Sequence, residues 1–442
     1  MNVSLQERVV IRRVALAGCG AVGSALLRLV HEQQEHIAGA HGVRLQPVAV
    51  LVRDVDAPRD IPPADGILTD DPGSLLAASP DLVVEATGSV ELGGRLAAAA
   101  LSRGIPFITA SKALIAAHGH ELQRAATRAG TWLGLEATVG GGVPLVRALT
   151  ESLPHAGVTG LRGVLNGTTN FVLDRLAAGA TLADALVEAR RLGFAEADAS
   201  RDLDGRDAAD KLAILAWLAF GVPPGSIPVA RSGIDLQPER LVRVAATVGC
   251  TVRLLAELDA TGGHIVASVQ PVAVNGASPF AAVAGEENLV LVTTRSSGVV
   301  RLAGPGAGGG PTAVSLLADM LRPVRVRIPS PPTAARHLTA RTPTAAQWLL
   351  GADPHPGVAA MVTRAAADAG AAVELVSQGG DVVFRLHHAS DAAARHVRHA
   401  VERAGLSAVL LRTDAAIASP STAAPGGGAA SPGAIRSAAP PC

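Results

Sequence analysis

A short apolar, β-branched run over residues 9–17 stops at Gly-Cys-Gly-Ala-Val-Gly, residues 18–23, and gives way to a helical spacing through Leu26, Leu27 and Val30. A second apolar run over residues 47–52 closes a βαβ unit of ordinary length. Standing alone, GxGxxG is a weak signal, since a glycine-rich packing turn has the same composition. After a strand and before a helix it is a dinucleotide fingerprint. Gly18, Gly20 and Gly23, with Ala21 and Val22 between them, allow the tight turn and the close approach of a pyrophosphate to the helix N-terminus. The chain is thereby committed to an α/β layer with a parallel sheet.

The residue after the second strand selects between cofactors. An acid there accepts from the ribose 2′-hydroxyl of NAD, whereas this chain has Arg53, which suits the 2′-phosphate of NADP. Asp54 next door keeps NAD open. The run Leu-Val-Val-Glu at 82–85 and the run at 106–109 extend the sheet, and loops at the carboxyl ends of such strands meet the ligand. Thr87, Gly88 and Lys112 are therefore expected at the nicotinamide half.

Residues 136–144, Glu-Ala-Thr-Val-Gly-Gly-Gly-Val-Pro, read as a domain junction whose consecutive glycines leave carbonyls free to turn toward a ligand or ion. A strand-like run at 158–165 then enters Asn-Gly-Thr-Thr-Asn at 166–170 and a helix, which supplies backbone and hydroxyl donors, Thr168 among them, suited to a carboxylate.

The densest chemistry follows. Residues 193–215 hold six carboxylates, Glu196, Asp198, Asp202, Asp204, Asp207 and Asp210, and set them against one amine, Lys211. From Asp207 onward Ala208, Leu212, Leu215 and Leu218 recur at helical intervals, so Asp207 and Lys211 share a face one turn apart, beside apolar neighbours that partly bury them. The bland alternative is a surface ion pair worth ~0.3–0.5 kcal/mol. Composition argues against it. Of 38 basic residues only Lys112 and Lys211 are lysine. An arginine keeps its proton at ordinary pH, whereas an amine can release and recover one, so these two positions are candidate proton donors and acceptors.

Net charge is zero, with 38 acids against 38 bases, which gives no electrostatic reason to expect nucleic acid or an anionic membrane as partner. Three cysteines, Cys19, Cys250 and Cys442, have no metal-ligand spacing and argue for a reducing compartment. No apolar run approaches the ~18 residues of a membrane span, and residues 1–13 lack a leader's apolar core. A cytoplasmic, soluble protein is expected. Tyrosine is absent, so no tyrosine serves as an acid.

Runs at 264–274, 288–294 and 298–303 are β-like and complete a second sheet. A second glycine-rich helix start at 304–310 returns toward the cofactor. The expected organisation is a Rossmann-type doubly wound parallel sheet over 1–145 and an α+β catalytic and dimerisation domain over 146–327, of which 311–325 pack back on the first. A proline-rich linker over 328–352, a small C-terminal α+β module over 353–418 and a disordered tail over 419–442 complete it.

Six motifs, GCGAVG at 18–23, TASKALIA at 109–116, EATVGGGVP at 136–144, LNGTTNFVL at 165–173, GFAEADASRDLDGRDAADKLAIL at 193–215 and GPGAGGGPTA at 304–313, resemble the homoserine dehydrogenase family in kind and order. That resemblance implies reduction of L-aspartate 4-semialdehyde to L-homoserine, in threonine, methionine and isoleucine biosynthesis, by a homo-oligomer, dimer or tetramer. It implies that Lys211 is the acid/base, with Lys112 beside nicotinamide and substrate. Glu196 and Asp207, with Asp202 and Thr168 nearby, would bind homoserine, and Gly193 and Gly306 would touch the cofactor. A monovalent cation such as Na+ would lie on Glu136, Val139, Gly141 and Val143. Ser111 stands where the family usually has Asn, and Phe194 where it usually has Tyr. The C-terminal segment resembles an ACT regulatory module, short and degenerate; in ACT-bearing relatives such a module carries threonine feedback. Three other readings compete. Another Rossmann-type amino-acid or aldehyde dehydrogenase would share GCGAVG but has no reason for the Glu196 to Lys211 constellation. An aspartate-semialdehyde dehydrogenase needs a nucleophilic cysteine, for which none of the three is placed, and a non-catalytic NADP-binding regulator has no use for Lys112 and Lys211.

Overall fold

The computed structural model describes residues 9–59, 66–261, 264–323, 339–340 and 346–414. Its first layer is a six-stranded parallel sheet of β1 (Val10–Ala17), β2 (Val43–Leu51), β3 (Leu68–Thr69), β4 (Leu82–Glu85), β5 (Phe107–Thr109) and β6 (Leu133–Gly134), in the order β3-β2-β1-β4-β5-β6. This is the doubly wound order of dinucleotide-binding folds, with its switch point between β1 and β4. Helices α1 (Ala21–Glu32), α2 (Gln34–His41), α3 (Pro72–Ala77), α4 (Val90–Ser102) and α5 (Lys112–Arg128) make the crossovers. Strands covered on both faces read as unbroken apolar runs, and all four residues of β4 are buried, Glu85 included.

Helix α6 (Leu145–Arg147) runs on as a π-helical turn, Ala148–Ser152, and leads to β7 (Val158–Val164). Then come α7 (Gly167–Ala177), α8 (Leu182–Arg191), α9 (Ser200–Leu203), α10 (Arg206–Phe220), β8 (Val229–Arg231), α11 (Pro238–Ala246), β9 (Thr251–Asp259), β10 (His264–Val274), β11 (Glu287–Thr294), β12 (Val299–Pro305) and α12 (Gly309–Met320). Helix α12 carries Ala313, Leu316, Leu317 and Met320 at intervals of three and four, and they join Val14, Leu16, Leu26 and Val30 in one core. Arg12 in β1 donates to the carbonyls of Met320 and Arg322 and ties down the end of that helix.

The rest is β13 (Thr339–Ala340), β14 (Ala346–Ala352), α13 (Val358–Asp368), β15 (Ala372–Gln378), β16 (Val382–Ala389), α14 (Asp391–Arg403) and β17 (Ala408–Thr413). Among the described residues the second sheet has eleven strands, nine of them in the order β12-β11-β7-β9-β10-β17-β14-β16-β15, with β8 and β13 both on β10. It joins catalytic and C-terminal segments, because β17 pairs in parallel with β10 at Val272↔Arg412 and Ala273↔Thr413. Ion pairs cross the same seam. Arg240 of α11, itself buried, reaches Asp381 at 2.6 Å and Asp353 at 3.2 Å, while Glu257 receives Arg162 at 2.8 Å and also Arg412.

One expectation is corrected here. Residues 346–352 are not linker: they form β14, hydrogen-bonded on both edges and carrying buried Trp348, Leu349 and Leu350. With it the module is a full β-α-β-β-α-β unit rather than a shortened one. Proline upstream masked a strand whose apolar residues are too few to stand out. Residues 328–338 and 341–345 of that linker, and the tail at 419–442, lie outside the described residues.

Candidate active site

At the end of β1 the backbone turns through Gly18 at φ +95°. A Cβ there would sit 2.6 Å from the carbonyl oxygen of Ala86, and one on Gly23 would sit 2.0 Å from that of Gly18. Both glycines are therefore required by contact, and Gly18 by its dihedral as well. Gly20 caps α1, with Ala21 and Val22 as its first turn. The second glycine-rich start lies against the first, since a Cβ on Gly309 would meet the carbonyl oxygen of Ala21 at 2.6 Å. Gly141 and Gly306 are just as close, a Cβ on the former falling 2.5 Å from the carbonyl carbon of the latter. These contacts press backbone on backbone around the fingerprint loop, whereas a Cβ on Gly20 would meet nothing within 4 Å, so the start of α1 is open to a dinucleotide. Arg53 is exposed just past β2, and among the described residues it makes no ion pair.

Beneath the next loop lies Glu85, fully buried. One of its oxygens accepts from Thr87 N and Oγ1, each at 2.6 Å, and from Gly88 N at 3.2 Å, while the other accepts from Thr109 Oγ1 at 2.6 Å. Thr109 Oγ1 in turn accepts from Ser111 N, and Ser111 Oγ caps α5 by accepting from Leu114 N. Ser111 thus supplies the helix cap that delivers Lys112 as the first residue of α5.

Lys112 and Lys211 converge on Asp207. Asp207 Oδ1 pairs with Lys112 and Oδ2 lies 2.7 Å from Lys211 Nζ, which also donates to Leu165 O at 2.7 Å. The Lys211 side chain is 11% exposed and that of Lys112 40%, so the first is enclosed and the second opens on solvent. Burial alone would raise Asp207, but the two ammonium groups outweigh it and hold its carboxyl well below the usual range. Burial pulls Lys112 down, Asp207 pulls it up, and the net direction is up. Asp202 is raised by burial although Asn166 donates to it.

Asn166 joins the two acids: its Nδ2 lies 2.7 Å from Asp202 Oδ1 and 2.9 Å from Asp207 Oδ2. Thr168 turns its hydroxyl to the carbonyl of Phe194 at 2.5 Å, so its proton anchors the loop after α8 and only its lone pairs face outward. Gly193, at φ +78°, opens that loop, and Glu196 on it is exposed. The structure therefore gathers Asp202, Asp207, Lys112 and Lys211 in one hydrogen-bonded cluster, with Glu196 on the loop beside it.

The junction at 136–144 is buried except at Gly142 and Pro144, and it is held by carboxylates. Glu136 accepts from Val146 N at 3.0 Å and Arg147 N at 2.9 Å, and its own N–H donates to Asp319 Oδ2 at 3.0 Å. Burial, with Asp319 adding to it, pushes Glu136 up to about 7 against those N–H donors. Gly141 O accepts from Ser315 Oγ at 2.6 Å and Val143 O from Leu145 N at 2.7 Å. Among the described residues no three His, Cys, Asp or Glu side chains are grouped as metal ligands. The carbonyl oxygens of Gly141 and Val143 are neutral lone-pair donors.

Glu85, Asn166 and Asp319 carry no role in the sequence reading. Glu85 was findable as an acid at the end of an apolar central strand, and Asp319 as an acid on the apolar face of α12; both positions demand buried partners. Asn166 was legible as a helix cap but not as a bridge.

A doubly wound sheet with its fingerprint loop at the switch point, together with a pair of amines converging on one buried carboxylate, defines a nicotinamide-dependent oxidoreductase. The family model described as homoserine dehydrogenase matches residues 144–321, and the one described as its NAD binding domain matches 18–136. The homoserine dehydrogenase of Mycobacterium tuberculosis is 38% identical over 322 residues, 71% of this chain and 73% of that protein. The crystal structure of a homoserine dehydrogenase from Thiobacillus denitrificans superposes with a TM-score of 0.82 at 30% identity, covering 91% of this chain and 98% of that one. A hyperthermophilic archaeal homoserine dehydrogenase in complex with NADPH superposes at 0.60 with 28% identity, over 71% of this chain and 97% of that one. The chain belongs to the homoserine dehydrogenase family. Among the described residues no helix is long and apolar enough to cross a membrane.

Proposed function

We propose that the chain interconverts L-aspartate 4-semialdehyde and L-homoserine with NADPH as the preferred cofactor, on the route to threonine, methionine and isoleucine, and that Lys211 moves the proton. The supporting observation is the enclosure of Lys211: two of its three N–H donors go to Asp207 and Leu165, and the third is left for a substrate oxygen. The cofactor, when bound, supplies the hydride to the aldehyde carbon. Gly18, Gly20, Ala21, Val22 and Gly23 would hold its pyrophosphate, Arg53 its 2′-phosphate, and Thr87, Gly88 and Lys112 its nicotinamide half, with Gly193 and Gly306 also touching the cofactor. As the aldehyde oxygen gains negative charge, Lys211 gives it a proton, and Lys112 adds a second positive charge at the same place. Asp207, ionised throughout, orients both amines. In the reverse direction Lys211 takes the hydroxyl proton of homoserine.

Glu196, with Asp202 and Asp207, would neutralise the substrate ammonium, and Thr168 would accept from it through its lone pairs. A monovalent cation such as Na+ would rest on the carbonyls of Glu136, Val139, Gly141 and Val143, where Ser315 already orients one oxygen. Strand β12 at the open edge of the second sheet, with Val299 exposed, fits assembly into a dimer or tetramer. The deciding assay is NADPH oxidation by the purified protein with aspartate semialdehyde present. A rate that depends on both is expected, and its absence overturns the reading.

A further inference from the structure

Asn166 occupies a place in this site that a helix cap alone does not explain. Its Oδ1 accepts from Thr169 N at 2.8 Å and caps α7, which fixes which way the amide faces. The two amide hydrogens must then point away from the helix. They point at two acids from different elements, Asp202 of α9 and Asp207 of α10. Thr169 Oγ1 donates to the backbone carbonyl of Asp202 at 2.8 Å, so the same turn of α7 holds that residue from behind. Lys211 donates to Leu165 O, the residue before Asn166. Asp207 Oδ2 thus has two donors, one charged and one neutral, both anchored at the end of β7.

We infer that Asn166 is a positioning residue for proton transfer: it holds two neighbouring carboxylates apart and ionised with one N–H each, and so keeps Asp207 Oδ2 aimed at Lys211. A neutral double donor is needed here. A cation would compete with Lys211 for Asp207, and a single hydroxyl serves only one acid. The inference rests on Lys211 as the proton donor. The charged groups around the bridge are Asp202 and Arg201 from α9, Asp207, Asp210 and Lys211 from α10, and Lys112 from α5, with Arg201 paired to Asp210 at 2.6 Å.

Asn166→Ser and Asn166→Asp separate capping from bridging, because both residues are good N-caps while serine has one donor and aspartate has none. The test measures thermal midpoint, kcat and both KM values for the wild type and the two variants from about pH 6 to about pH 9. Near-native midpoints are expected, with kcat in Asn166→Ser lower by about tenfold, the scale of one lost hydrogen bond, and KM for the cofactor unmoved. Asn166→Asp should lose more at high pH and regain activity as pH falls, because a proton shared among three carboxyls replaces the missing donor. Native kcat in both variants across the range would show that Asn166 only caps α7 and would overturn the inference. A wild type that does not oxidise homoserine sinks the functional reading instead. The chain's two lysines then decide the inference by their side-chain amine resonances in lysine-labelled protein. Resonances that move in Asn166→Ser support the bridge, and unmoved ones remove it.

Discussion

Lys112 and Lys211, from helices on different layers, meet across one carboxylate: Asp207 turns Oδ1 to the first and Oδ2, at 2.7 Å, to the second. A pair of amines on one acid keeps that acid ionised and leaves N–H donors for a third party. If Lys211 is the proton donor, Lys211→Arg keeps the charge and the ion pair yet cannot deliver a proton. Its kcat should fall by at least ~10²-fold with a midpoint near that of the wild type. Circular dichroism and steady-state rates check this, and a comparable kcat would remove Lys211 from the mechanism.

The same carboxylate predicts a pH dependence of stability. Asp207 is held below its ordinary value, so its contribution is present above the unfolded carboxylate pKa and is lost as pH falls through the folded one. Asp207→Asn removes the carboxylate with which both amines pair, at a cost of about 3 kcal/mol, the lower end for breaking a buried pair. The gap in thermal midpoint between variant and wild type should hold steady from neutral pH down to about 5 and close below about 4. A gap that is constant to low pH would mean that the ion pairs add nothing to stability.

Glu136 has the opposite sign. Burial holds its carboxyl up at about 7, so the stability it contributes is complete below the unfolded pKa and is lost as pH rises through 7. Glu136→Gln removes that titration. The wild type should therefore lose stability relative to the variant between about pH 5 and about pH 8, by an order of 3 kcal/mol. Denaturant unfolding at several pH values measures it, and parallel curves would show that Glu136 stays ionised in the fold.

The nucleotide half was readable from sequence because its rules are local: a glycine that a neighbouring carbonyl crowds at 2.0 Å admits no other residue, and Gly23 says so in one letter. The lysine pair was readable for a compositional reason, two lysines left in a chain that otherwise uses arginine. What stayed hidden was pairing across distance. Nothing near Lys112 in sequence announces Asp207, and nothing near Asp319 announces the Glu136 backbone, because such contacts exist only once α5, α10 and α12 are docked. Strand β14 was missed for a related reason: its apolar residues acquire meaning from β16 and β17, which form far downstream.

Arg53 stands exposed past the end of β2 and, among the described residues, makes no ion pair, so its guanidinium is available to a 2′-phosphate. Arg53→Ala should raise KM for NADPH well above any change in KM for NADH, since only the former carries that phosphate. Equal effects on both cofactors would take Arg53 out of the cofactor site.

Glu196 tests what reads the substrate's ammonium. Its loop is pinned at two carbonyls, Phe194 O by Thr168 Oγ1 and Glu196 O by Arg190 Nε at 3.4 Å, and its exposed carboxylate makes no ion pair among the described residues. Homoserine brings one ammonium, and a loop acid can meet it without competing for the proton on Lys211. Glu196→Gln keeps the shape and removes the charge, a loss of ~1.5–3 kcal/mol for one charged hydrogen bond. KM for homoserine should rise roughly ten- to a hundredfold while KM for the cofactor stays put. Repeating the measurement with Asp202→Asn distinguishes the alternatives. If Glu196→Gln leaves KM for homoserine unchanged and Asp202→Asn raises it, the ammonium is read by the acid that Asn166 holds, and Glu196 is one more solvated side chain on an acidic loop.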